Sequence, residues 1–193
     1  MKNRYLIILI ILIILIILCK MSFIENFVDY VVAQYDNNKY KVQKYPNQQE
    51  AANTLAKINE KVNKLIIHLE QKHPDDERVK RLISRLDMNN LEEAKHEKNS
   101  TSYTINKGEL ISLCMREKNP NKKIHKVNHL MFVIIHELAH IMSISEGHTK
   151  EFMSNFKFLL RESNDCGSYF PVNYEDSPFQ YCGMEVTHNP FFS

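Results

Sequence analysis

The alternation of hydrophobic and polar positions changes rhythm several times along the chain. Tyr5–Cys19 is apolar without interruption, nearly all Ile and Leu. As a helix this run rises about 22 Å, short of the roughly 30 Å of a bilayer's hydrocarbon core. Continued through Ile24 it reaches about 30 Å, with Lys20 near one end where its ammonium can snorkel. The pattern therefore predicts an N-terminal transmembrane anchor over residues 1–24, a single-pass membrane location, and bilayer contact through residues 5–24. A cleaved signal peptide is the competing expectation, but Leu18, Cys19, Lys20 and Met21 offer no small-residue cleavage site. Lys2 and Arg4 favour a cytoplasmic N-terminus.

Residues 25–46, which end at Pro46, read as a juxtamembrane connector with some helix, and residues 47–193 as the domain proper. Between Gln48 and Gln71, the residues Leu55, Ile58, Val62, Leu65 and Leu69 fall on one helical stripe. The stripe is under three heptads long, so it predicts a helix packed on the domain and not a coiled coil. His73-Pro74-Asp75 breaks that helix and starts another, with Val79, Leu82, Ile83 and Leu86 on its apolar face. Residues 87–100 are polar and read as a loop. Tyr103–Ile105 and Glu109–Met115 flank Asn106-Lys107-Gly108, which predicts a β-hairpin. A long helix follows from Lys126 to Ile144, apolar nearly all round over Leu130–Ile135 and hence buried. A further helix runs from Thr149 to Glu162. The last thirty residues hold Pro171, Pro178 and Pro190 among many aromatics, and predict irregular structure with short strands. The sum is an α+β chain: a membrane helix, then a mainly helical domain with a small β-hairpin.

Composition narrows the function. The formal charge is +2, and Lys2, Arg4 and Lys20 surround the apolar run, so the rest is close to neutral. That argues against a strongly basic nucleic-acid binder, and no nucleic-acid partner is expected. At 44% hydrophobic residues the chain can fill a core. Four glycines, with no phosphate-loop pattern among them, leave no nucleotide site to propose. Four cysteines without a C-x-x-C pair make neither a disulfide scaffold nor a cysteine zinc site.

The chemistry lies in His136-Glu137-Leu138-Ala139-His140, an H-E-x-x-H string on the buried helix. Four residues are about one helical turn, so His136 and His140 can face one Zn²⁺ together. Glu137 can then act as general base on the water that the metal activates. An ionisable triplet in a buried helix has to be paired or metal-bound. A catalytic zinc site wants a third protein ligand and an open fourth position. His148, after the turn at Gly147, is the expected third ligand. Glu162 is the runner-up, and Cys114, more simply a small buried residue, comes after it. The strand Glu109–Met115 is a candidate edge strand for an extended substrate backbone. Tyr169, Tyr174, Tyr181 and His188 are candidate donors to an oxyanion. Cys166 and Cys182 could form a disulfide if the domain were exported.

The H-E-x-x-H string, followed by Glu146-Gly147-His148-Thr149-Lys150-Glu151-Phe152, resembles the active-site region of the WLM and Spartan-type zinc metallopeptidases. The chain is most similar to the small WLM-like metallopeptidases of large DNA viruses, through Tyr103–Glu109 and Tyr181-Cys182-Gly183. The resemblance spans about residues 48–190. It implies a zincin-like metallopeptidase domain with His136, His140 and His148 as zinc ligands, Glu137 as catalyst and a protein or peptide substrate, in a host or virion membrane. The DNA-binding parts of the Spartan-type relatives are absent. Two other expectations use the same residues: a non-catalytic membrane or virion protein with a structural zinc site, and a metal-dependent amidase acting on a non-protein substrate.

Overall fold

The computed structural model describes residues 2–25, 28–95 and 101–193, with side chains described over 5–17, 28–95 and 101–193. Helix α1, Lys2–Glu25, comes first. The expected transmembrane anchor and membrane location are overturned: among the described residues no helix is long and apolar enough to cross a membrane. The described apolar side chains run from Tyr5 to Ile17, which rises only about 20 Å. The continuation through Lys20–Ile24 that the anchor required lies outside the described side chains.

The segment read as a connector is instead a hairpin of the domain. Strands β1 (Val28–Val32) and β2 (Lys39–Gln43) pair antiparallel, from Val28 opposite Gln43 to Val32 opposite Lys39. β2 buries Tyr40 and Val42 on helix α2, Gln48–Lys72. The α2 stripe is the centre of the core: Leu55, Ile58, Val62, Leu65 and Leu69 are all fully buried. Each such side chain contributes roughly 2 kcal/mol by leaving water. Helix α3, Glu77–Arg85, starts where Asp76 accepts the N–H of Arg78 and buries Val79 and Leu82.

The segment 87–100 was read as a loop, yet it contains strand β3, Leu91–Glu93. Strands β4 (Tyr103–Ile105) and β5 (Leu110–Leu113) form the predicted hairpin, and the sheet order is β3-β5-β4. β3 runs parallel to β5 and β4 antiparallel to it. The strand expected at the edge is therefore central, and β3 and β4 are the two edges. Gly108 makes the β4–β5 turn possible: its φ is +119°, and a Cβ there would lie 2.6 Å from the carbonyl oxygen of Arg85.

Helix α4, Val127–Met142, carries the H-E-x-x-H string and is buried along most of its length. It contacts α2, α3 and helix α5, Lys150–Asp165. Arg81 donates to the carbonyl of Met142 at 2.8 Å, and Arg85 to that of Ile141 at 3.0 Å. Two cations thus satisfy the negative end of α4, immediately after the motif. The tail ends in hairpin β6 (Phe179–Tyr181) and β7 (Met184–Val186).

A disulfide joins Cys114, just after β5, to Cys182 in the β6–β7 turn, while Cys166 is free. The expected Cys166–Cys182 pair is not formed. Tail cysteines close in sequence yield to a partner 68 residues away, because the hairpin folds back over the end of β5.

Candidate metal centre and active-site cleft

His136 and His140 lie one turn apart on α4, and their Nε2 atoms are 3.2 Å apart. His148 enters from the α4–α5 turn with its Nε2 at 3.1 Å from that of His136. All three ligand atoms lie within 4.8 Å of one another. Nitrogens bound to one tetrahedral Zn²⁺ at 2.0–2.1 Å stand about 3.3 Å apart, so this triad fits the ion. Electrostatics agree with that fit. Burial, with the neighbouring His140 and His148 rings, holds the His136 imidazole down at about 3, and burial lowers His140 as well. Both rings are neutral at pH 7, with lone pairs available to a cation. The His triad could thus hold a metal.

The rings are held by packing. Phe152, on the first turn of α5, packs edge-on or tilted at ring-centroid distances of 4.9, 4.3 and 4.8 Å from His136, His140 and His148. The turn that presents His148 is latched twice. The Glu151 carboxylate accepts the backbone N–H groups of Ile144 and Ser145, each at 2.9 Å, and the Ser145 hydroxyl at 2.6 Å. Thr149 caps α5 through the N–H of Phe152 at 3.3 Å and meets the Ser145 hydroxyl at 2.6 Å. Sequence reading did not single out Glu151. Its only signal is an acidic residue in a first helical turn, which ordinarily marks a capping or dipole effect.

Glu137 lies beside the triad and, with it, lines a cavity of about 490 Å³. It is 7% exposed, and burial raises its carboxyl to about 7. The same cavity is bordered by Thr101–Thr104, Phe132, Val133 and Tyr181. Of the four oxyanion-donor candidates, Tyr181 reaches this cavity. Its hydroxyl bonds the Ser102 hydroxyl, whose oxygen accepts the N–H of Cys114 at 2.9 Å. Burial raises the Tyr181 phenol above its ordinary range, and the charge of Glu137 pushes the same way.

The other candidates fall elsewhere. Tyr169 and Tyr174 are fully buried, their hydroxyls 3.5 Å apart, and Tyr169 accepts from Asn189 at 3.0 Å. His188 is exposed and pairs with Glu175 at 3.0 Å. Glu162, the alternative ligand, is committed to His68 at 2.8 Å, His73 at 3.0 Å and Lys72 at 3.0 Å. Cys114 is spent in the disulfide and supplies no thiolate.

Sequence reading also missed the ion pair that braces the sheet beneath the cleft. Glu93 and Arg116 are almost fully buried and pair at 2.5 Å. The Glu93 carboxylate also accepts the N–H of Gln43 at 2.8 Å, and Arg116 bonds the Asn47 side chain. The pair ties β2, β3, the end of β5 and the start of α2 together.

Comparison with known proteins follows the same residues. The WLM domain description matches residues 34–169. An uncharacterized protein of Acanthamoeba polyphaga mimivirus is 33% identical over 165 residues, 81% of each chain. Uncharacterized proteins of Invertebrate iridescent virus 6 and Invertebrate iridescent virus 3 are 34% and 36% identical, over 52% and 51% of this chain. Those matches cover 56% and 59% of the two relatives' own length. No solved structure matches significantly. The chain belongs to the WLM domain family, a metallopeptidase-like family with members in large DNA viruses.

Proposed function

We propose that the protein is a zinc-dependent peptidase, with His136, His140 and His148 holding the ion and Glu137 as its general base. One observation carries this reading: three convergent imidazole nitrogens and a buried carboxylate line one cavity large enough for a peptide side chain. Bound Zn²⁺ would polarise the scissile carbonyl and acidify water. The remaining work falls to the protein. Glu137 takes a proton from the attacking water as its oxygen bonds to the carbonyl carbon. As the C–N bond breaks, Glu137 delivers that proton to the departing nitrogen. Tyr181 is positioned to donate from its phenol to the oxygen that gains charge. The β4 edge can align an extended backbone along the cleft through main-chain hydrogen bonds.

A structural zinc site would be closed by a fourth protein ligand. The open cavity beside the triad and the buried Glu137 favour catalysis over that reading. The test is metal removal and return. Chelation should abolish cleavage of a mixed peptide library, and stoichiometric Zn²⁺ should restore it. Cleavage that persists through chelation would refute the assignment.

A further inference from the structure

The cleft continues past the triad and changes character. On one side lie Phe132, Val133, Tyr181, Met184 and Val186. On the other, a hollow of about 360 Å³ is lined by Asn106, Lys107, Ser145, Glu146 and Gly147. Thr104 and His140 border both, so the two hollows form one groove that crosses the triad and follows β4. Its first end is apolar and its second polar.

The direction of β4 orients a bound chain. Along β4 the sequence runs from the apolar end, at Ser102 and Tyr103, towards the polar end, at Asn106 and Lys107. A peptide laid antiparallel to β4 runs the opposite way, and the antiparallel ladder is the slightly more stable one per residue. The residue following the cleaved bond then enters the apolar end. The outer wall of that end is supplied by the β6–β7 hairpin, through Tyr181, Met184 and Val186. This hairpin lies beyond residue 169, where the WLM match stops, and the Cys114–Cys182 bond pins its turn. Met184 is 49% exposed, so it is not there to fill the core, while the half-buried Val186 packs against the core and borders the groove as well.

We propose that the β6–β7 hairpin determines specificity, selecting an extended peptide with a bulky apolar side chain immediately C-terminal to the scissile bond. The inference rests on the peptidase reading and adds the substrate class. A pocket contact of this kind is worth about tenfold to two hundredfold in discrimination.

The experiment uses the full chain loaded with Zn²⁺ and a peptide library randomised on both sides of the cleaved bond. Leu, Ile, Met and Phe should be enriched directly after the bond, and polar residues before it. In Val186→Asp the kcat/KM ratio of Leu over Lys peptides should fall by at least about tenfold. Met184→Lys should shift preference towards Glu in the same way. Each variant should keep its zinc, and Met184→Lys should also keep its melting profile, because that side chain stands exposed at the groove surface. Cleavage without preference after the bond, or a preference unchanged in both variants, overturns this inference and leaves the peptidase reading intact. No cleavage by the wild type overturns both.

Discussion

Glu151 grips Ser145 twice, through its backbone N–H at 2.9 Å and its hydroxyl at 2.6 Å, and so fixes the turn on which His148 stands. The third imidazole therefore depends on a carboxylate that does not touch it. Supporting groups of this kind typically tune metal affinity by 10–100-fold.

The first expectation concerns that latch. Glu151→Ala should weaken zinc binding by about tenfold or more while leaving the α2–α4–α5 core folded. Competition with a chromophoric chelator measures it. The latch also has a pH signature. The backbone N–H groups and the Ser145 hydroxyl hold the Glu151 carboxyl down at about 2. A lowered folded-state value means that its stabilisation is full above the ordinary carboxylate range. It is lost as pH falls from about 4.3 towards 2. Above that window the wild type should keep a constant stability margin over Glu151→Gln, and acid titration should show the two converging within it.

The disulfide gives a second expectation. Alkylation of unfolded protein without reductant should label Cys166 but neither Cys114 nor Cys182, and after reduction it should label both of these as well. Loss of the Cys114–Cys182 bond should cost about 4 kcal/mol, the chain-entropy value for a loop of 68 residues. Labelling of Cys114 and Cys182 without reductant would contradict the bond.

Glu93 and Arg116 provide the third. Glu93→Ala leaves a buried guanidinium without its counter-charge and should destabilise the domain by about 3–5 kcal/mol. Replacing both partners by apolar residues should recover most of that loss. Denaturant melts of the two variants separate these outcomes, and equal losses would contradict the pairing argument.

The ligand series is the fourth. His136→Ala and His140→Ala should each lose zinc and, with it, the stability that zinc binding contributes, whereas His148→Ala should bind zinc more weakly. Glu162→Ala should keep its zinc, because that carboxylate is occupied by His68, His73 and Lys72. Metal analysis with thermal melts reads all four variants.

What the sequence made legible follows from how each element is stabilised. The helices α2, α4 and α5 bury long apolar stripes, and such stripes repeat at helical period whatever they pack against. The β4–β5 hairpin carried its own turn residues, Asn106 to Gly108. β3 stayed hidden because a buried position holds Glu93, a charge that only its pairing with Arg116, 23 residues later, makes tolerable. That hidden strand also moved β5 from the edge to the centre. β1 and β2 were missed because their apolar residues split between the core, as with Val42, and the surface, as with Tyr30 and Val32. The convergence of three histidines was readable because His136 and His140 sit at helical spacing and His148 follows a short turn. The latch at Glu151, the arrival of Tyr181 and the choice of Cys114 over Cys166 depend on tertiary approach, which local sequence does not encode.

The central claim turns on Glu137. Wild type and Glu137→Gln should be prepared side by side, with zinc content and peptide hydrolysis measured on the same samples. Both should hold one zinc per chain, and the variant should be slower by at least about a hundredfold, because both proton transfers lose their carrier. Equal rates in the two proteins, or no hydrolysis by zinc-loaded wild type on a broad peptide library, would contradict it.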